Sequence, residues 1–144
     1  MGLIENIGVK GRLEEEFDFD IVDEFIDHFD IITSHLDLVI TALENYKSKE
    51  KVDELFRFFH NIKSATAYLK LENIHYLAEI AEEVMEALRK SIDNLSVEVV
   101  DWLFLVSEQF RVWLEELEED ADEFSKLNAD ILNVPEIIWQ LENS

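Results

Sequence analysis

The sequence contains no cysteine and has very little glycine or proline. Its 144 residues include three glycines, all within the first 11 positions, and a single proline, Pro135. Without cysteine the chain forms no disulfide, no thiolate metal site and no cysteine nucleophile. Because β-rich folds need many turn residues, the stretch from Arg12 to Val134, free of glycine and proline, favours long helices.

Positive charge and long apolar runs are also scarce. Twelve Lys and Arg residues stand against 34 Asp and Glu residues, a formal net charge of −22. Such a surface repels phosphate backbones and anionic membranes, which argues against a nucleic-acid partner. The longest clearly apolar run, Trp102 to Val106, is far too short to span a bilayer, and the N-terminus lacks a secretory apolar region. We therefore expect a cytoplasmic protein with no membrane insertion.

Apolar residues recur at intervals of three and four in four long segments, the pattern of helices with one buried face. The segments run from about Asp20 to Tyr46, Glu50 to Lys70, Glu72 to Lys90, and from an N-cap at Ser96 to Leu117. Short polar stretches separate them. Four long helices joined by short turns predict an all-α fold, an antiparallel up-down four-helix bundle, within a single domain.

The two ends of the chain lie outside this bundle of residues 20–117. Residues 1–19 have a mixed composition and predict an arm or a short helix. The fourth helix is apolar on a second side, around Trp102, so another element has to cover it. We expect residues 118–144 to form a helical extension that packs on the bundle there, with Pro135 in the first turn of a final short helix.

The stretch FRFFHNIKSATAYL, residues 56–69, carries one histidine in a strongly apolar setting. The apolar stripe of this second helix consists of Val52, Leu55, Phe56, Phe59, Ile62, Thr66 and Leu69. A helix turns about 100° per residue, so His60 lies roughly 130° from the centre of that stripe, on the flank towards solvent. Ser64 and Ala67, one and two turns later, are too small to cover its ring.

An accessible imidazole with a cation nearby suits phosphate chemistry. Imidazole is a competent nucleophile near neutral pH because a useful fraction is unprotonated. Lys63, three residues after His60, is within reach of a group attached to the ring. Its ammonium could partly neutralise a phosphoryl group through a charge-assisted hydrogen bond. The alternative is an ordinary histidine at the edge of a helix face, beside an ordinary surface lysine.

The run HNIKSATAYLK, from His60 to Lys70, resembles the motif of the histidine-containing phosphotransfer (HPt) domain, including the phosphotransfer domain of chemotaxis-type histidine kinases. Ser64 and Lys70 stand where that motif has glycine. The resemblance continues into the third helix, where Leu77, Ala78, Ala81 and Glu82 match a family pattern of leucine, small residue and glutamate.

The resemblance implies a carrier in a two-component phosphorelay. His60 would take a phosphoryl group from, or give it to, the aspartate of a response-regulator receiver domain. Lys63 would neutralise the phosphate charge, and Glu82 would hold the far nitrogen of the ring. The partners implied are a receiver domain and a histidine kinase.

The resemblance also implies where the receiver docks and what the chain itself lacks. The docking surface would be the flank around His60, with Ser64 and Ala67 leaving room and with Phe56 and Arg57 in contact with the receiver. In this family the receiver holds the Mg²⁺, so we expect no cofactor on this chain. Since no glycine-rich phosphate loop occurs, the chain is not expected to be the ATP-using kinase.

A non-catalytic module is the competing interpretation. An HPt-like bundle could bind or dimerise through the fourth helix and the C-terminal segment, with His60 inert. The apolar excess around Trp102 motivates this alternative.

A di-iron carboxylate bundle is the natural alternative for an acidic four-helix protein. It needs two Glu-x-x-His pairs, and only Glu72 and His75 form one here. His28 and His35 lie seven residues apart on the first helix, at the margin of its apolar stripe, and we interpret them as boundary histidines.

Overall fold

The computed structural model describes residues 7–135, and these residues form helices and irregular segments without a strand. The all-α prediction is confirmed. Seven elements follow one another along the chain: α1 (Val9–Glu16), α2 (Phe19–Asn45), α3 (Lys49–Tyr68), α4 (Glu72–Lys90), a 3₁₀ turn (Ile92–Asn94), α5 (Val97–Glu118) and a second 3₁₀ turn (Ala129–Leu132). Helices α2 to α5 form the bundle.

The ends of the helices follow from local hydrogen bonding. The hydroxyls of Ser48 and Ser96 accept hydrogen bonds from the backbone N–H groups of Lys51 and Val99, which caps the N-termini of α3 and α5. The cap expected at Ser96 is thereby confirmed. Such caps satisfy backbone donors that the first helical turn leaves without partners.

Two helices end in the same way at their C-termini. After α3 the backbone of Lys70 takes the left-handed conformation, with φ 58°, and the N–H of Leu71 bonds to the carbonyl of Thr66 at 3.0 Å. After α5 the backbone of Asp120 does the same, with φ 53°, and Ala121 bonds to Glu116 at 2.9 Å. Both are Schellman motifs, in which glycine usually occupies the left-handed position.

The core is a continuous apolar cluster between the four long helices. Six of the seven residues of the stripe predicted for the second helix are buried, and the seventh, Phe56, is half-buried. Aromatic rings join three helices at its centre, where Phe110 of α5 contacts Phe29 of α2 and Phe59 of α3 with ring centroids 5.7 and 6.1 Å apart. No helix within residues 7–135 is long and apolar enough to cross a membrane.

The segment after α5 packs against the second apolar side of that helix. The indole N–H of Trp102 donates to the carbonyl oxygen of Ile131 at 2.8 Å, and that of Trp113 donates to the carbonyl of Ser125 at 2.9 Å. Ile131 is fully buried. Apart from the second 3₁₀ turn, the described part of this segment is irregular rather than helical. This conformation leaves backbone carbonyls free to accept from the indoles. The short helix expected after Pro135 lies outside the described residues.

Helix α1 is held against the end of α5. The N–H of Gly11 donates to the Asp120 carboxylate at 2.9 Å, and the N–H of Val9 donates to the carbonyl of Ala121 at 2.7 Å. A Cβ at Gly8 would collide with the backbone carbonyl of Asp120, so glycine permits this close approach. Residues 1–6 of the expected N-terminal arm lie outside the described part of the chain.

Candidate functional site

His60 lies in the middle of α3 and faces outward. Its neighbours Phe59 and Ile62 are buried in the core, and the helical twist therefore turns His60 to the outside. The imidazole is 52% exposed. The ring is therefore accessible from outside the bundle.

Glu82 of α4 joins His60 to Lys63. Its Oε2 lies 3.0 Å from Nδ1 of His60, and its Oε1 accepts a hydrogen bond from the Lys63 ammonium, also at 3.0 Å. The carboxylate is only 17% exposed, so solvent screens these contacts weakly. An ionised carboxylate only accepts hydrogen bonds. In the neutral ring the proton therefore lies on Nδ1, and Nε2 keeps its lone pair.

Lys63 is bound more closely to Glu82 than its position on α3 suggests. The spacing predicted an ammonium beside His60, whereas the structure places Nζ on the carboxylate that also holds the ring. The backbone carbonyl of Lys63 is 3.0 Å from Nδ1 of His75 on α4. His75 thus joins the two helices next to the site, and its Nε2 lies 3.6 Å from Glu79.

Phe56 and Arg89 form a stack with the histidine. The Phe56 and His60 rings are nearly parallel, with an interplanar angle of 11° and centroids 6.0 Å apart. The guanidinium carbon of Arg89, on α4, lies 4.3 Å from the centroid of the Phe56 ring. Asp53 and Glu86 hold that guanidinium at 3.0 and 3.2 Å. Phe56, expected to contact a receiver, is half-buried and packs within its own chain.

Arg89 is the member of the site that the sequence analysis missed. Asp53, Phe56 and His60 lie at i, i+3 and i+7 on α3, and Arg89 lies seven residues after Glu82 on α4. These spacings place each set along one side of its helix. The spacings alone do not indicate that the two sides face each other.

The remaining residues expected at the docking surface are accessible. Arg57, Ser64 and Ala67 are all exposed on α3. His28 and His35, interpreted as boundary histidines, are exposed on α2. Within residues 7–135 no group of three or more His, Cys, Asp or Glu side chains is placed to hold a metal ion.

Comparison with known proteins identifies the class to which this fold and site belong. The family model described as the Hpt domain matches residues 20–131, which is most of the chain. The chain therefore belongs to the histidine phosphotransfer (Hpt) domain family, and the resemblance seen in the sequence is confirmed. The match extends into the segment after α5, beyond the bundle pattern. No curated protein and no solved structure matched the chain.

Membership of this family assigns a general role. Hpt domains act in histidine phosphotransfer within phosphorelay signalling, where they interact with kinases and receiver domains.

Proposed function

We propose that this chain carries a phosphoryl group on Nε2 of His60 and exchanges it with the aspartate of a response-regulator receiver domain. The observation that carries the proposal is the half-exposed imidazole with Nδ1 anchored to a largely buried carboxylate. Because Nδ1 is engaged by Glu82, Nε2 is the nitrogen left for phosphoryl transfer.

The transfer step uses the lone pair of Nε2. That nitrogen attacks the phosphorus of the aspartyl phosphate, a nitrogen–phosphorus bond forms, and the bond from phosphorus to the aspartate oxygen breaks. The electron pair leaves on the receiver's carboxylate. The imidazole gains positive charge during the attack, and Glu82 stabilises it through the hydrogen bond from Nδ1. The reverse reaction returns the phosphoryl group to aspartate.

Lys63 supplies charge to the transferred group. An ammonium has three donors, and Glu82 takes one of those on Lys63. The others remain for the oxygens of a phosphoryl group on His60. Because the transition state requires mainly positioning and charge neutralisation, these contacts are the main contribution of the chain. The Mg²⁺ would come with the receiver.

The distribution of charge favours docking on the side that carries His60. From Lys49 to Lys90, which spans α3 and α4, seven basic residues stand against eight acidic ones, a net charge of −1. The rest of the chain has five basic and 26 acidic residues, a net charge of −21. In this family the receiver surrounds its aspartate with further acidic residues. The acidic surface of a receiver is therefore repelled least when the receiver docks over α3 and α4.

The competing interpretation, a non-catalytic module, was motivated by the apolar excess of α5 around Trp102, Phe104 and Leu105. Trp102 is buried and its indole donates to the carbonyl of Ile131 in the same chain, whereas Phe104 and Leu105 are half-buried. The Trp102 part of this surface therefore does not require a second molecule.

Phosphotransfer from receiver domains tests the proposal. Purified chain is incubated with a panel of ³²P-labelled receivers, each phosphorylated on aspartate, that includes those encoded near its gene. We expect an acid-labile, alkali-stable label on the chain that is absent from His60→Gln. The proposal is wrong if no receiver in the panel transfers label, or if the label persists in that variant.

A further inference from the structure

We propose that Phe56 and Arg89 are positioning residues, which fix the plane of the His60 ring for phosphorylation at Nε2. The inference rests on the proposed use of His60. It adds a second constraint to the one that Glu82 provides. It also gives a functional role to the guanidinium of Arg89 on α4.

The hydrogen bond to Glu82 leaves one freedom of the ring unrestrained. It sets which edge of the imidazole faces α4, because a half-turn about the Cβ–Cγ bond would replace Nδ1 with a carbon. One hydrogen bond restrains only one combination of the two side-chain torsions, χ1 and χ2, and the ring can still tilt along the other. A half-exposed ring that tilts presents its Nε2 lone pair over a range of directions, which slows an in-line attack.

The stack restrains this tilt. Parallel rings with centroids 6.0 Å apart lie within the range of attractive aromatic pairs. Phe56 packs its inner side against the core cluster, so it is a stable surface for the imidazole. Arg89 adds a cation–π contact to the same phenyl ring at 4.3 Å.

Arg89 itself is held in place from both helices. Its Nε lies 3.0 Å from Asp53 of α3, and one terminal nitrogen lies 3.2 Å from Glu86 of α4. The side chain is 40% exposed, so these ion pairs contribute modestly to stability. Their geometric effect is to keep the guanidinium against Phe56. Asp53 and Glu86 thus hold Arg89, Arg89 contacts Phe56, and Phe56 stacks on His60.

Labelling with phosphoramidate tests this inference without any receiver. In that reaction the nitrogen–phosphorus bond of phosphoramidate breaks, ammonia leaves, and Nε2 of His60 bonds to phosphorus. We expect Phe56→Leu, which keeps apolar volume but lacks a flat face, to react about threefold to tenfold more slowly. Phe56→Tyr, which keeps the flat ring, recovers most of the rate that Phe56→Leu loses. Arg89→Ala slows the reaction and Arg89→Lys restores part of it.

Arg111→Ala is the matched control for Arg89→Ala. Arg111 is 39% exposed and pairs with Asp37 on another helix and with Glu108 three residues earlier, both at 2.6 Å, on the α2–α5 side. Its removal costs comparable ion pairs away from His60. If the two alanine variants slow labelling equally, or if Phe56→Leu reacts at the original rate, the inference is wrong.

Nuclear magnetic resonance of the His60 ring gives a readout that needs no phosphoryl donor. Stacking on Phe56 shifts the carbon-bound protons of His60 upfield. We expect Arg89→Ala to reduce this shift while Arg111→Ala leaves it unchanged. A shift unaltered in Arg89→Ala would show that the guanidinium does not hold the stack. Failure of receivers to transfer phosphate, with both readouts as expected, would overturn the proposed partner and leave the positioning role standing.

Discussion

Glu82 accepts hydrogen bonds from both His60 and Lys63 while only 17% exposed. One carboxylate thus holds the ring, selects the nitrogen that carries the proton in the neutral imidazole, and keeps an ammonium near the proposed phosphorylation site. The sequence pattern of α4 does not distinguish it from Glu79 or Glu83, which also lie on that helix. The resemblance to a known family indicated Glu82, and the geometry between α3 and α4 places it beside His60.

Substitutions of Glu82 by alanine and by glutamine distinguish the effect of its charge from the effect of its hydrogen bond to His60. We expect Glu82→Ala to lower the initial rate of phosphotransfer to His60 by about tenfold to a hundredfold, because hydrogen bonds to a charged group contribute about 1.5–3 kcal/mol. Glu82→Gln, which still offers an acceptor oxygen, should lie in between. Rates are measured with a phosphorylated receiver and folding is checked by circular dichroism. An unchanged rate in a folded Glu82→Ala would remove Glu82 from the mechanism.

Glu118 belongs to a crowded acidic region at the end of α5. Loss of hydration raises the pKa of this carboxyl, and the charges of Asp30 and Glu115 raise it further. A carboxyl with a raised folded-state pKa binds protons more readily in the folded state. It therefore destabilises the fold when ionised, and this penalty disappears as the pH falls through the raised pKa.

Glu118→Gln should consequently raise the midpoint temperature of unfolding at pH 7. The advantage over the original chain should shrink as the pH is lowered to about 4, near the ordinary carboxyl pKa. Calorimetry at several pH values measures the difference. Asp30→Asn should give a smaller change in the same direction, and a Glu118→Gln variant less stable at pH 7 would contradict the assignment.

At the scale of elements, the C-terminal ends of α3 and α5 use one backbone geometry with different side chains. Lys70 and Asp120 both take the left-handed conformation, with φ 58° and 53°. The Lys70 side chain is largely exposed and pairs only loosely with Glu16, at 3.9 Å. The Asp120 carboxylate accepts the Gly11 N–H and so attaches α1 to the bundle.

Glycine at these two positions should therefore have opposite effects. We expect Lys70→Gly to raise the free energy of unfolding by about 0.5–1 kcal/mol, because relief of left-handed strain outweighs the added freedom of the unfolded chain. Asp120→Gly should lower the free energy of unfolding, because the loss of the contact to α1 outweighs the same relief of strain. Urea unfolding measures both. Destabilisation by Lys70→Gly would mean that its side chain contributes more than its backbone costs.

The Asp120 contact also predicts a dependence on pH. The backbone N–H of Gly11 is the main cause that lowers the pKa of this carboxyl. A lowered folded-state pKa contributes stability above the unfolded value, and this contribution is lost as the pH falls through the folded value. The protection factors of the α1 amides, which are the intrinsic exchange rates at each pH divided by the observed rates, should therefore fall on acidification. This fall should be absent from Asp120→Asn.

At the scale of the whole molecule, α3 and α4 are nearly neutral in a strongly acidic chain, and the proposed docking of an acidic receiver on this side can be tested through charge. Arg57→Glu and Lys126→Glu both change the net charge from −22 to −24. Arg57 is exposed on α3 three residues before His60, and Lys126 is exposed in the segment after α5. Because the two variants have the same net charge, a difference between them shows the effect of where the charge lies.

We expect Arg57→Glu to slow phosphotransfer from a receiver by about tenfold at low salt, mainly by slowing association. Lys126→Glu should have a much smaller effect, and raising the ionic strength should narrow the gap between the variants. Phosphoramidate labelling should be the same in both. Equal slowing by the two substitutions would mean that only total charge matters.

The sequence by itself determined the four long helices, most of the buried stripe of each and the outward direction of His60, because these follow from the period of a single helix. It also carried the motif from which the family could be named. Only the tertiary structure decided which groups meet across helices. Lys63 binds Glu82, Arg89 stacks on Phe56, and the segment after α5 supplies backbone carbonyls to the indoles. Such contacts depend on how neighbouring helices are rotated and offset, and the period of one helix contains no information about its neighbour.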